Sequence, residues 1–255
     1  MGALSYPAHR AQMLATTLEV GMRVLDLSAR TVVDAVRGTG SQRKNDQRLE
    51  RWAGGVVART RAQVSVTGRE KMQPGCIYVI MSNHQSHYDI PILFHALGGN
   101  IRMVAKKELF DIPVFGHAMR EAGFIEVDRS NRSQAVAALQ GAAALLAQGT
   151  HLWIAPEGKR SRSGELCAFK KGGFAVAIDA QLPILPVTLS GTRDLLAPDH
   201  LLTTPGAQVS VTVHDPILTT GVRNEDKPAR DALIERVRQT VASALPSSES
   251  SESQG

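Results

Sequence analysis

Two clusters in this 255-residue chain carry side chains equipped for chemistry. The first is Ser82-Asn83-His84-Gln85-Ser86-His87-Tyr88-Asp89-Ile90-Pro91. It follows an apolar run and precedes another, which places it at the carboxyl end of a buried strand, where open α/β sheets form their sites. Asp89 stands before an apolar helical stretch in the position of an N-cap. The loop back to His84 then brings carboxylate and imidazole within hydrogen-bond reach. Such a carboxylate fixes the tautomer of the ring and stabilises the imidazolium formed when the ring takes a proton. No motif fixes a serine or cysteine nucleophile beside the pair. Spacing leaves an ordinary helix cap with solvated histidines open as the other reading. His84, His87 and Asp89 also offer three potential ligands within six residues, but without cysteine or glutamate at ligand spacing or a helical H-x-x-x-H no metal is expected.

The second cluster is Pro156-Glu157-Gly158-Lys159-Arg160-Ser161-Arg162-Ser163-Gly164. Three cations in four residues, set among Gly and Ser, offer free backbone N–H groups and guanidinium forks suited to a phosphate. Alone it reads equally as a solvated basic turn. Further cations recur after other strand-like runs: Lys106 and Lys107, Asp128-Arg129, and Lys170-Lys171. Their convergence on one rim would be a property of the sheet that carries them.

That sheet is legible in the change of hydrophobic period after Gln63, where short β-rich runs alternate with helical ones. Strands are predicted at 63–67, 76–81, 101–104, 123–127, 151–155, 184–189 and 208–213. Helices are predicted at 89–97, 114–121, 131–148, 168–180 and 228–245. Ahead of them, residues 10–37 form one amphipathic helix with Leu14, Leu18, Met22, Leu25, Ala29, Val32 and Val36 in a stripe. Arg23, Arg30 and Arg37 recur every seven residues beside it. Gly38-Thr39-Gly40-Ser41 ends this helix and a second basic one runs from Gln42 to Thr60. The fold class is therefore α/β, a single mixed sheet flanked by helices and preceded by an N-terminal amphipathic helical hairpin. Residues 1–61 form the hairpin, 62–246 the αβ domain and 247–255 a polar, disordered tail.

Composition bounds the function. Two cysteines, Cys76 and Cys167, make no disulfide framework or C-x-x-C site. The N-terminus lacks the features of a secretory signal, and no apolar run approaches the ~18–20 residues that span a bilayer. The net charge is +5, and residues 1–61 hold ten Lys or Arg against five Asp or Glu, so something acidic is expected to meet that end. A nucleic-acid partner is not expected, because aromatics are only 4% of residues and do not interleave with the basic ones. The hairpin reads either as two helices packed on the core or as an element lying on an anionic bilayer.

Four blocks in order resemble the glycerolipid acyltransferase family, most closely the 1-acyl-glycerol-3-phosphate acyltransferases: Asn83-His84 with Asp89, Gly123 to Arg129, Pro156 to Arg160, and Leu185-Pro186-Val187 ahead of Ser190-Gly191. Val104 to Pro113 fits as well, so the resemblance runs from Val64 to Ile217. It implies that His84 is the general base that deprotonates a glycerol hydroxyl, with Asp89 holding it. The hydroxyl would attack an acyl thioester of coenzyme A or acyl carrier protein, a co-substrate, with no cofactor. It further implies that Glu157, Gly158 and Arg160 belong to the phosphate-binding block, aided by Lys106 and Arg129, and that Leu185 and Pro186 line the acyl or thioester side. The family's usual Thr in the third block is Lys159 here, which leaves the head group open. A lysolipid lives in a bilayer, so the resemblance favours docking of the hairpin, peripherally and on the cytoplasmic side. The acceptor expected is 1-acyl-glycerol-3-phosphate. Another lysolipid, glycerol 3-phosphate, or a non-catalytic lipid-binding role are the alternatives.

Overall fold

In the computed structural model, which describes residues 6–128, 146 and 148–246, the alternating apolar runs form the strands of one sheet. They are β1 (Gln63–Thr67), β2 (Val79–Ser82), β3 (Ile101–Lys106), β4 (Ile125–Val127), β5 (His151–Ile154), β6 (Ile184–Ser190) and β7 (Gln208–Val213). The order across the sheet is β1-β7-β6-β2-β5-β3-β4. β6 and β7 are antiparallel and the other neighbouring strands are parallel, so the sheet is mixed, as expected. β2 begins three residues later than predicted. Gly75, at φ +80°, and the bond from Cys76 N–H to Gln73 O form a turn there. Beyond it, Tyr78 N–H donates to His151 Nδ1 instead of a strand carbonyl.

Helices α1 (Tyr6–Val36), α2 (Gln42–Thr60), α3 (Asp89–Leu97), α4 (Lys107–Phe110), α5 (Phe115–Glu121), α6 (Lys171–Asp179), α7 (Thr192–Leu195) and α8 (Lys227–Ala242) connect and flank the strands. α6 starts three residues after the predicted 168 because Lys170 N–H donates to Pro156 O and holds Lys170 extended. The helix expected at 131–148 falls, except for residues 146 and 148, outside the described residues, as do Arg129 and the tail 247–255.

The period-2 alternation of the central strands separates two cores. Ile80 of β2, Trp153 of β5 and Leu185, Val187 and Leu189 of β6 face one side, with Leu49, Ala53 and Val56 of α2 and Ile92 to Leu97 of α3. Val79, Met81, Leu152, Ile154 and Ile184 face the other, with Phe174 and Ala177 of α6 and Leu233 and Val237 of α8. Burial on both faces is what a parallel sheet between helix layers demands.

The two hairpin helices behave differently. α2 packs into the domain: Arg102 Nη2 pairs with Asp46 at 2.6 Å, and a Cβ on Gly99 would lie 2.0 Å from Asp46 O. α1 turns its predicted apolar stripe outward. Leu14, Leu18, Met22, Leu25 and Val36 are all at least half exposed, while Thr16, Ser28 and Thr31 are buried. The stop between the helices is as expected, with Gly38 at φ +65° and Ser41 Oγ capping Lys44 N–H.

Candidate active site

β2 lies between β5 and β6 and is parallel to both, so three carboxyl ends emerge side by side. The loop after β2 carries His84, the loop after β5 carries Glu157 to Gly164, and the loop after β6 runs into α7. Hydrogen bonds sew the three together. His84 N–H donates to Glu157 Oε1 (2.8 Å) and Ser161 N–H to His84 O (2.7 Å). Gln85 Nε2 donates to Gly164 O (3.0 Å) and Ser86 Oγ to Leu196 O (2.7 Å). Below them, Asn83 bonds both the N–H and the C=O of Leu189 in β6.

His84 Nδ1 and Asp89 Oδ2 are 2.6 Å apart, so spacing read the pair correctly. The predicted capping role of Asp89 does not hold. Tyr88 occupies the cap position, Asp89 opens the first turn of α3, and its carboxylate folds back onto the loop. Oδ2 also accepts Gln85 N–H (2.7 Å) and Ser86 N–H (3.0 Å), while Oδ1 is buried without a partner. Asp89 has no exposed surface and the His84 side chain retains 19%. With Nδ1 held by the buried carboxylate the ring's orientation is fixed, and Nε2 has no hydrogen-bond partner among the described residues. The ring also stands edge-on to Trp153 at 5.8 Å, and Trp153 Nε1 donates to Ser82 Oγ.

The cations gather on the same side. His87 is pushed below its ordinary value by burial first, then by the positive charges of Arg160, His84 and Lys106, with Asp89 pulling the other way. Arg160 donates to Pro198 O at 3.3 Å and forms no ion pair among the described residues, so its charge is available. Lys106 ends β3 and is exposed.

Glu157, which the resemblance puts in the phosphate-binding block, lies beneath the rim between two loops. It is 2% exposed and both oxygens are occupied, Oε1 by His84 N–H and Oε2 by Cys167 N–H (2.9 Å). Burial raises its pKa and these backbone bonds oppose the rise. Both oxygens are thus taken up by backbone N–H groups of this chain. Glu157 therefore acts here as a strut between two loops. Gly158 adopts φ +70°, and a Cβ there would meet Lys170 Nζ at 2.8 Å. Leu185 has no exposed surface and Pro186 is paired with Met81 inside the sheet.

Residues the sequence did not single out complete the frame. Trp153 was visible only as one of two tryptophans, and its contact depends on strand phase. Tyr88 Oη and Thr203 Oγ1 are 2.7 Å apart, and Thr203 N–H donates to Thr17 Oγ1 at 2.8 Å. This chain links the loop of His84 to α1. Among the described residues, no group of three or more His, Cys, Asp or Glu is placed to hold a metal ion.

The mixed sheet thus carries a His–Asp pair and several cations at the carboxyl rim of its strands. Residues 63–190, half of the chain, match the family model described as Acyltransferase, and the chain belongs to that family. It is 35% identical over 180 residues to human 1-acyl-sn-glycerol-3-phosphate acyltransferase alpha, covering 70% of this chain and 62% of the relative. A 1-acyl-sn-glycerol-3-phosphate acyltransferase of Chlamydomonas reinhardtii is 35% identical over 185 residues, covering 72% of this chain and 53% of its own. The chain thus spans less than two thirds of these relatives. The crystal structure of the 1-acyl-sn-glycerophosphate (LPA) acyltransferase PlsC from Thermotoga maritima shares the fold, with a TM-score of 0.76 over 92% of this chain and 95% of that one, at 24% identity.

Proposed function

We propose that the protein transfers a fatty acyl chain from a thioester of coenzyme A or acyl carrier protein to the free hydroxyl of 1-acyl-glycerol-3-phosphate, giving phosphatidic acid. The observation that carries this reading is the 2.6 Å contact of His84 Nδ1 with buried Asp89, set beside the cations of Arg160 and Lys106. With Nδ1 bound to the carboxylate, Nε2 accepts the hydroxyl proton. The oxygen attacks the thioester carbonyl, an ester C–O bond forms, and the C–S bond breaks. The leaving thiolate takes the proton back from the imidazolium, which restores the neutral ring. No acyl-enzyme and no cofactor are required. Arg160, with Lys106 and Arg129, grips the phosphate of the acceptor.

The outward stripe of α1 is the means of reaching a bilayer substrate. No helix of the described residues is long and apolar enough to cross a membrane. Leu14, Leu18, Met22 and Leu25 instead lie open on α1, beside the basic helix α2, the arrangement of an element that rests in an interface. We place the protein peripherally, on the cytoplasmic face.

The test is transfer of radiolabelled acyl chains from coenzyme A and from acyl carrier protein to a panel of lysolipids and glycerol 3-phosphate. Label in phosphatidic acid is expected. Label in a different lipid would move the function to that acceptor, and no transfer with any acceptor would leave a lipid-binding protein.

A further inference from the structure

α1 and α2 enclose a groove of about 730 Å³ whose lining comes from these two helices alone, with nothing from the loops that carry His84, Asp89 or Arg160. Five cations line it, Arg23, Arg30, Lys44, Arg48 and Arg51, against the carboxylates of Glu19 and Asp26. Both carboxylates are already engaged, Glu19 by Arg59 and Asp26 by Arg30 at 2.8 Å. Lys44 and Arg48 share Asp34. Arg23 and Arg51 have no ion pair among the described residues, and the guanidinium of Arg23 lies where a side chain on Gly55 would stand, its Nη1 2.6 Å from that Cβ position.

The unmatched polar atoms in this lining are all donors. Arg48 Nη1 and Trp52 Nε1 are buried without a partner, and no groove residue has a buried acceptor left over. A buried donor without an acceptor has lost its bond to water and gained none in return. With the guanidinium groups of Arg23 and Arg51 free of ion pairs, the groove is a surface short of anionic oxygen. The apolar part of the lining, Met22, Leu27 and Trp52, is continuous through Met22 with the exposed stripe of α1. A free anion has no use for that part, whereas a molecule with a phosphate at one end and a hydrocarbon chain at the other matches both.

We propose that this groove binds the phosphate head group of an anionic phospholipid of the bilayer, separately from the acceptor phosphate in the active site. The proposal rests on the reading of α1 as a membrane-docking helix. It makes docking a specific recognition of one lipid as well as a general attraction.

The experiment follows the emission of Trp52, with Trp52→Phe as the blank for Trp153, while dihexanoyl phosphatidylglycerol is added below its micellar range. Dihexanoyl phosphatidylcholine and inorganic phosphate are added in parallel, and sedimentation with phosphatidylglycerol vesicles is measured on the same protein. Saturable binding of the glycerol lipid is expected, with at least about tenfold weaker binding in Arg23→Gln/Arg51→Gln, since charge-assisted bonds are lost. These two arginines make no ion pair, so the variant is expected to fold, which its melting curve verifies. Sedimentation of the wild type without saturable lipid binding, or equal binding by the double variant, would overturn the groove and leave docking intact. Equal affinity for inorganic phosphate would overturn the lipid assignment. Failure to sediment with vesicles would overturn docking and the proposal with it.

Discussion

Glu157→Gln separates a strut from a substrate ligand. Glu157 presents one oxygen to His84 N–H at 2.8 Å and the other to Cys167 N–H at 2.9 Å, at 2% exposure. Glutamine has the same shape but a single acceptor, so its NH2 group must face one of the two N–H donors. One charge-assisted bond is lost, about 1.5–3 kcal/mol, and a buried donor goes unmatched, about 1–3 kcal/mol. Relief of the desolvation that raises the carboxyl's pKa offsets part of this. A net loss of about 2–3 kcal/mol is expected, or roughly 4–12 °C in Tm for a chain of this size. The displaced backbone of His84 should lower kcat and leave the KM for the phosphorylated acceptor unchanged. Thermal denaturation and steady-state kinetics on purified variant and wild type read both quantities. An unchanged Tm with a raised KM would refute the strut and return Glu157 to the phosphate.

Arg160→Ala is expected to raise the KM for the acceptor about tenfold or more with a smaller change in kcat, because it removes a charged grip that acts in the ground state too; an unchanged KM would move the phosphate site elsewhere. Leu18→Asp/Met22→Asp changes side chains that are 59% and 61% exposed, so stability should move by no more than about 0.5 kcal/mol. Vesicle binding should fall by about a hundredfold, since each buried apolar side chain contributes about 1.5–3 kcal/mol; sedimentation of the variant like the wild type would exclude α1 as the docking surface. His151 and His214 are both held below their ordinary 6.5 by burial. The unfolded chain therefore binds protons that the fold refuses once the pH drops below 6.5, and stability should be greatest above that value and fall beneath it. Urea midpoints at about pH 7.5 and about pH 5.5 should differ, and less so in His151→Gln.

The sheet was legible because its central strands are apolar runs bounded by turn residues, while 63–67 and 208–213 alternate polar and apolar side chains and were located to the residue. Boundaries slipped where a tertiary bond decided them, as at Lys170, whose N–H is captured by Pro156 O. The pair His84 and Asp89 was legible because it is local. Its support was not, since Glu157, Trp153 and Ser161 reach His84 only through strand order, which residue spacing does not encode. Periodicity found α1 but not which face it buries: Thr16, Ser28 and Thr31 pack inward, two of them with hydroxyls bonded to their own helix's carbonyls four residues back. A helix that hides its small polar face leaves its apolar one for another solvent.

In the proposed reaction His84 takes the proton and does not bind the lipid. The measurement that tests it most directly pairs kcat with lysolipid affinity in His84→Ala, both on folded protein. The account predicts a fall in kcat of about 10²–10⁴ with affinity unchanged. Turnover within about threefold of wild type would contradict it, because a general base that can be removed at that cost is not the base.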